Sequence, residues 1–481
     1  MRKFLNTFPL HTFLFVFFIS FFLYAQNPEL VDLSAMKRTL IYGTFACVLL
    51  FFIFYLFYRN KLKAGITTTL ILLVLFNYGL MYDGLERLYY DGLWPFANIH
   101  RYLLGFSFLL CCGIILFVHK KINQGTISNY FLNLLVILLL LFNITKVLFL
   151  NHASEKEVLS REEKSDNNGS YPDIYYIVLD GYANQHVLKK YYNYDNSEFL
   201  LFLEQQGFYL ADSAFSNYYS TMSSLSGTFN LDYHQSLSGD VRRKMLRNNM
   251  LFQELKQKGY RLYNMESGYS VTSRFPQMDS TVTINSPNEF ERSILKFTIF
   301  RIDEVLGIIQ HSRLKSQVEK INSMAAIGSG KKFVFIHMVA PHPPFVFNSK
   351  GERVFDMKNH DNYWEPKEHY INQLIYVNTV IKSFITEISK IDNKAIVILQ
   401  SDHGPWIAND DADARFESRS MILNAMKLPG VQQDKLYRHI SSVNTFRLVK
   451  QQYFDSSCKL LPDLKAGKSE IMESIFFLKD H

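Results

Sequence analysis

Residues 395–404 read Ala-Ile-Val-Ile-Leu-Gln-Ser-Asp-His-Gly, an apolar run closed by Ser401-Asp402-His403-Gly404. The run reads as a buried β-strand whose end sets a carboxylate beside an imidazole. In open α/β sheets, ligands bind at the carboxyl ends of strands. Adjacent Asp and His suit one borderline divalent cation. A second run, Ile174-Tyr175-Tyr176-Ile177-Val178-Leu179, ends likewise in Asp180-Gly181-Tyr182. Either ending alone also fits an ordinary turn. Together, with a hydroxyl-rich turn and a His-Pro loop between them, they predict a metal site built across a sheet.

Around these runs, short β-rich stretches alternate with longer amphipathic ones. Strands are expected near 174–179, 260–265, 281–285, 332–338 and 395–400, and helices near 184–207, 239–258, 289–318, 366–390 and 441–453. The alternation predicts an α/β domain with a largely parallel central sheet. It occupies 172–481, behind a polar linker over 151–171. No internal repeat is present.

Residues 1–150 differ in kind, and a mean hydropathy of -0.03 averages over the two halves. Apolar runs near 8–25, 39–58, 65–82, 102–118 and 129–150 are each close to the ~20 residues a bilayer-spanning helix needs. The first run, with Arg2-Lys3 before it and Leu23-Tyr24-Ala25 after it, also resembles a signal peptide. Four further runs and the charge of the loops favour a span. Arg2 and Lys3, then Arg59, Lys61 and Lys63, then Lys120 and Lys121 mark one side; Glu29, Asp32, Asp83, Glu86 and Asp91 dilute the cations of the other. The positive-inside rule puts the N-terminus in the cytoplasm. The expected architecture is thus a five-helix transmembrane region over 1–150 plus an extracytoplasmic α/β domain, multi-pass in the cytoplasmic (inner) membrane.

The net charge of +7 is dispersed, which argues against nucleic acid as a partner. Of four cysteines only Cys458 falls in the outer domain, so no internal disulfide forms there and the domain depends on its core. Few ionisable residues lie in the spans, Lys146 being an exception, which argues against a pump.

Between the acidic strand ends, Ser216-Asn-Tyr-Tyr-Ser220-Thr221-Met-Ser-Ser-Leu-Ser-Gly-Thr228 gathers hydroxyls ahead of a helix. A helix N-terminus offers free N–H groups to an anion; the same run also fits plain N-capping. In Phe333-Val-Phe-Ile-His337-Met-Val-Ala-Pro341-His342-Pro343-Pro344-Phe345, prolines restrict the loop that carries His342, while His337 reads as a core histidine within the strand. His337 and His439 keep open the extra ligands of a second metal.

The order Asp180-Gly, Asn217-Tyr-Tyr-Ser-Thr221-x-x-Ser-Leu, Pro341-His342-x-Pro and Ser401-Asp402-His403-Gly404 resembles the sulfatase-like branch of the alkaline phosphatase superfamily. It is most similar to the membrane-anchored group with lipoteichoic acid synthases and phosphoethanolamine transferases, which also carry five N-terminal spans. Ser441-Ser-Val-Asn-Thr-Phe-Arg-Leu-Val449 adds to the likeness. The resemblance implies one divalent metal ion, zinc or manganese, bound by Asp180, Thr221, Asp402 and His403. It implies Thr221 as nucleophile and His342 as the residue that holds or protonates the transferring group. Arg274 and Lys332 are candidate anion partners that no spacing selects.

The chemistry is sound on its own terms: a threonine hydroxyl is a weak nucleophile that metal coordination activates. The expected function is a metal-dependent phosphoryl-group transferase or phosphodiesterase. Its partners would be the lipid bilayer, a phospholipid or lipid-linked donor, and an envelope glycan or lipid acceptor. One alternative is a catalytically inactive sulfatase-like envelope scaffold or binding protein. Another is a sulfuric ester hydrolase; arylsulfatases, however, need a Cys or Ser in a Cys/Ser-x-Pro-x-Arg context, and this turn lacks both proline and arginine.

Overall fold

The computed structural model describes residues 2–26, 35–90, 93–95, 98–155, 171–234, 238–301, 303–354, 364–407 and 411–465. The linker expected over 151–171 falls mostly outside them. The chain divides into two compact units: Met1–Arg161 with Pro287–Leu306, and Glu162–Ser286 with Gly307–His481.

In the first unit, four helices are long and apolar enough to cross a membrane: Met36–Tyr58, Lys61–Tyr89, Ile99–Lys121 and Thr126–Leu148. The expected first span is shorter, a 17-residue apolar helix Leu10–Gln26 preceded by helix Arg2–Thr7. Phe8-Pro9 separates the two, because proline cannot donate to the preceding turn. Apolar surroundings demand that the freed backbone groups find partners. Asn133 supplies them: its amide Nδ2 donates to the Leu5 and Phe8 carbonyls (both 2.8 Å), and its Oδ1 accepts from the His11 N–H at 2.6 Å. Asn129, one turn earlier, donates to the same two carbonyls.

The helix expected over 289–318 is two helices, Glu289–Phe297 and Asp303–Ile321, and the first groups with the N-terminal helices. A capping box opens it: Asn288 Oδ1 accepts from Glu291 N while Glu291 Oε2 accepts from Asn288 N. Asn288 Nδ2 also reaches the Ala35 carbonyl, Arg38 pairs with Glu291 at 2.8 Å, and Phe290 packs with Tyr24, Met36 and Val147.

The second unit holds a seven-stranded sheet. Its strands are β1 (Ile174–Leu179), β2 (Tyr209–Leu210), β3 (Arg261–Met265), β4 (Ser280–Val282), β5 (Lys332–Met338), β6 (Ile396–Gln400) and β7 (Asn424–Lys427). The order is β2-β7-β6-β1-β5-β3-β4, and β7 alone runs against the rest. β1 sits centrally with all six residues buried. Its alternate side chains serve opposite faces. Tyr175, Ile177 and Leu179 pack under helices Gln185–Tyr192, Ser197–Gln205 and Lys367–Ile391. Ile174, Tyr176 and Val178 pack under helices Thr221–Asn230, Met250–Gln257 and Ser442–Tyr453.

The helices expected over 184–207 and 239–258 are each broken by asparagine. Asn193 closes one helix in the left-handed region (φ 50), and Asn249 caps the next by accepting from Phe252 N. The Ser441–Val449 motif serves the sheet: Thr445 Oγ1 accepts from Gln400 Nε2 at the end of β6 and from Asn424 Nδ2 at the start of β7.

Candidate metal and phosphoryl-transfer site

β1 lies between β5 and β6, so three carboxyl ends meet. Parallel register pairs Val178 with His337 on one side and with Gln400 on the other. Two residues on, Asp180 and Asp402 leave neighbouring strands on the same face, and His337 shares that face through its pairing with Val178. Asp180, His337 and Asp402 form a buried group able to hold a metal ion, with their ligand atoms within 4.8 Å of one another.

His403 and Thr221 join from the turns. His403 Nε2 lies 3.4 Å from Asp180 Oδ1, 3.5 Å from Asp402 Oδ2 and 3.5 Å from Thr221 Oγ. Atoms bound at ~2.0–2.2 Å around one tetrahedral centre lie ~3.3–3.6 Å apart, so the four residues fit a shared cation. Asp180 Oδ1 and Asp402 Oδ2 are buried with no hydrogen-bond partner. Burying a carboxylate is costly unless it is paired or coordinates metal. A divalent ion accounts for both orphaned oxygens.

The turns are shaped for this. Gly181 adopts φ +75, and a Cβ there would collide with the Trp364 ring. Gly404 sits against the Ser418 carbonyl with no room for a Cβ, and its N–H donates to Arg419 O at 2.7 Å. Asp402 Oδ1 accepts from His403 N and Gly181 N. Ser401 Oγ accepts from Tyr182 N and donates to His403 O. Each of these bonds ties the end of β6 to itself or to the end of β1.

Thr221 opens helix Thr221–Asn230, capped by Ser220, whose side chain accepts from Ser223 N. Its hydroxyl faces His403 Nε2 at 3.5 Å, and the residue is 7 % exposed. The helix is held by Phe229 and Leu225 in the core below and by His234, which stacks on Tyr218 at 4.2 Å and bonds to Ser226 Oγ at 2.7 Å.

The electrostatics separate the two acids. Burial raises Asp180, but the His342, His337 and His403 imidazoles outweigh it and leave it below the ordinary carboxylate range. Asp402 is pushed up to about 7, first by burial and then by the Asp180 charge. Burial lowers His403 well below the usual imidazole range, with the Arg419 charge adding to it. His403 Nδ1 faces the Gly404 carbonyl at 3.1 Å, which accepts its proton and leaves Nε2 as the lone pair.

His342 is partly exposed. Its Nδ1–H donates to Pro343 O at 2.7 Å, its ring packs on Trp364 at 4.8 Å, and it lies 6.1 Å from the His403 ring. Burial lowers its pKa, so Nε2 carries a lone pair at neutral pH.

Three expectations change. His337, read as a core histidine, belongs to the site: it is fully buried, Nδ1 meets Thr272 Oγ at 2.6 Å, and Nε2 stands 3.5 Å from Asp180 Oδ2. His439 is exposed and packs on Tyr437 instead. Neither candidate anion partner is in the site: Arg274 pairs with Glu266, and Lys332 begins β5, six residues and ~20 Å of strand from its carboxyl end, where it pairs with Asp173. The buried cation here is Arg419, which the sequence reading missed in the charged stretch Ala412–Ser420.

The family model named Sulfatase matches residues 172–446, more than half the chain. The chain belongs to this family. A search of curated protein sequences finds no match. Among solved structures, the zinc complex of the periplasmic domain of EptC from Escherichia coli is 13 % identical, TM-score 0.43, covering 63 % of this chain and 90 % of that one. The integral membrane lipooligosaccharide phosphoethanolamine transferase A of Neisseria meningitidis is 13 % identical, TM-score 0.41, covering 76 % and 72 %. A phosphonate monoester hydrolase of Agrobacterium radiobacter is 11 % identical, TM-score 0.41, covering 59 % and 74 %.

Proposed function

We propose that this protein is a membrane-anchored, metal-dependent phosphoryl-group transferase or phosphodiesterase with Thr221 as its nucleophile. Leu10–Gln26 is read as a first span beside the four longer ones, with the N-terminus in the cytoplasm and the catalytic unit outside it, in the inner membrane. An active unit tethered to the bilayer suits a lipid-linked donor and an envelope glycan or lipid acceptor.

The observation that carries the reading is the convergence of Asp180, Asp402 and His403 on a threonine hydroxyl at a helix N-terminus. A zinc or manganese ion held by Asp180, Thr221, Asp402 and His403 would polarise a phosphoryl oxygen and lower the pKa of the Thr221 hydroxyl. The N–H groups of the first turn after Ser220 offer donors to the other oxygens. Thr221 Oγ then bonds to phosphorus as the bond to the leaving oxygen breaks, giving a phosphothreonine. His342 Nε2 accepts the Thr221 proton and passes it to the departing alcohol. In the second half an acceptor alcohol, or water, gives its proton to His342 and bonds to phosphorus. The Thr221–phosphorus bond breaks and Thr221 recovers the proton. A proton relay of this kind contributes roughly 10²–10⁴-fold.

Threonine cannot yield the aldehyde nucleophile of arylsulfatases, so sulfate ester hydrolysis is the weaker reading. The two orphaned carboxylate oxygens argue against an inactive scaffold. The test is mass spectrometry of the full chain after exposure to total membrane lipids. A mass added at Thr221, absent in Thr221→Ala together with phosphodiesterase activity, is the expected result. Full activity in Thr221→Ala rejects the mechanism.

A further inference from the structure

We propose that a groove beside the Thr221 turn seats a neutral saccharide, one hydroxyl of which is the acceptor alcohol. This rests on the phosphoryl-transfer reading above and chooses the glycan over the lipid as acceptor.

The groove has a volume of about 740 Å³, within the range of small-molecule sites. Its walls continue segments that also build the metal site. Tyr219 lines it two residues before Thr221, at most ~7 Å away along the chain. Gln185 and His186 open the helix that follows Asp180. Ser420 and Met421 close helix Ala412–Ser420, and the Ser420 carbonyl accepts from Ser216 N at 2.8 Å, which ties that helix end to the chain leading into Thr221. The same helix gives the groove one of its faces: Asp413, Phe416, Glu417 and Ser420 recur at helical spacing.

The lining selects the occupant. Its charges are matched: Arg438 holds Asp212 through Nε at 2.8 Å and through Nη2, and Glu417 pairs with Lys190 at 2.6 Å and with His186 at 3.0 Å. Asp413 is offset by Lys465 on the same lining. A phosphate or an ammonium therefore meets no net charge to draw it in. Apolar side chains are confined to Tyr219, Phe416 and Met421, too little surface to bury an acyl chain. What remains is a ring of hydrogen-bonding groups around an aromatic face. Phe416 is half-buried and backed by Tyr219, their ring centres 6.1 Å apart.

A sugar ring fits that combination. Its C–H face packs on an aromatic ring, and its hydroxyls both donate and accept. A paired carboxylate still has lone pairs to offer, since each ionised group carries about four acceptor sites. Arg438 likewise keeps the Nη1 donors that Asp212 does not use. A hydroxyl at the Thr221 end of the groove is then the alcohol of the second half-reaction. It gives its proton to His342 and bonds to phosphorus as the Thr221–phosphorus bond breaks.

The experiment uses zinc-loaded full-length protein in lauryldimethylamine oxide, a detergent without a sugar headgroup. Maltose, N,N′-diacetylchitobiose and dioctanoylglycerol are titrated separately into wild type, Phe416→Leu and Phe416→Tyr, with binding read by saturation-transfer NMR. Leucine keeps an apolar side chain against Tyr219 and loses only the aromatic face; tyrosine keeps the face. Zinc affinity, measured by competition with a chelating dye, reports on the neighbouring site. The expected result is disaccharide binding to wild type, weakened about 3–10-fold in Phe416→Leu, the contribution of an aromatic face, and kept in Phe416→Tyr. Zinc affinity should stay within about twofold throughout. No disaccharide binding to wild type, equal affinity in all three proteins, or parallel loss of zinc and saccharide overturns the proposal. So does dioctanoylglycerol binding that displaces the disaccharide. Thr221→Ala is run alongside: retained transfer from membrane lipids there ends the phosphoryl-transfer reading, while its disaccharide titration judges the groove separately.

Discussion

Stripped of metal, the protein should be made more stable by Asp402→Asn, and only at high pH. In the metal-free fold Asp402 is pushed from 3.8 to about 7 by burial and the Asp180 charge. A carboxyl with a raised folded pKa contributes stability that is complete below its unfolded value and is lost as pH rises through the folded one. At ~1.36 kcal/mol per pKa unit, the loss between pH 4 and pH 8 approaches ~4 kcal/mol. Asparagine cannot ionise and escapes it. Its Oδ1 keeps the acceptor role toward His403 N and Gly181 N, and its Nδ2 offers a donor where the orphaned Asp402 oxygen now faces Asp180. Chelator-treated wild type and Asp402→Asn should therefore melt together below about pH 4. At pH 8 the variant should melt about 8–16 °C higher, taking ~2–4 °C per kcal/mol for a domain of this size. Excess zinc should reverse the order by stabilising wild type alone. The assay is scanning fluorimetry in detergent across that pH range. His403 and His342 are lowered by burial and shift stability the opposite way below pH 6.5, but both variants carry them, so the difference isolates Asp402. A melting difference that is the same at pH 5 and pH 8 would refute the reasoning.

Two other perturbations test the surroundings. Thr272→Val removes the hydroxyl against His337 Nδ1, which fixes the ring whose Nε2 faces Asp180 Oδ2, and should weaken zinc binding by up to about 10–100-fold, the range for groups that orient metal ligands; an unchanged dye-competition curve would exclude His337 from the metal's surroundings. Glu417, which accepts from Lys190, Tyr191 and His186, is held at about 2 by those bonds against its burial. Its contribution is present above pH 4.5 and is lost as pH falls toward 2. The melting gap between wild type and Glu417→Gln should narrow as pH falls from 5 to 3, and a constant gap would contradict the assignment.

The sheet's centre was legible because β1, β5 and β6 are fully buried and read as unbroken apolar runs. The edges were not. β2 has two residues and β7 four, too few for any periodicity, and β7 takes its place by pairing with β6. Asp180, Asp402 and His403 stood out because strand ends announce them. His337 did not, since its role depends on register: it faces Asp180 only because β5 pairs it with Val178. Arg419 is one of several charges in a polar helix, and nothing local distinguishes a buried arginine from its solvated neighbours Arg415 and Asp413. The over-long helices erred where asparagine intervenes. Asn193 and Asn249 carry cap signals that apolar spacing alone passes over. Likewise the 17-residue first helix reflects Pro9, whose effect on the run is visible in the sequence but whose rescue by Asn133 is not.

The excursion through Pro287–Leu306 changes how the polypeptide is threaded. Leaving the catalytic fold at Ser286 and returning at Gly307, the chain joins the two units covalently three times rather than once. A protease that severed the backbone between Glu155 and Tyr171 would not liberate a soluble enzyme. The severed catalytic fragment would stay fastened through a loop whose helix is itself pinned by Phe290 and the Arg38–Glu291 pair.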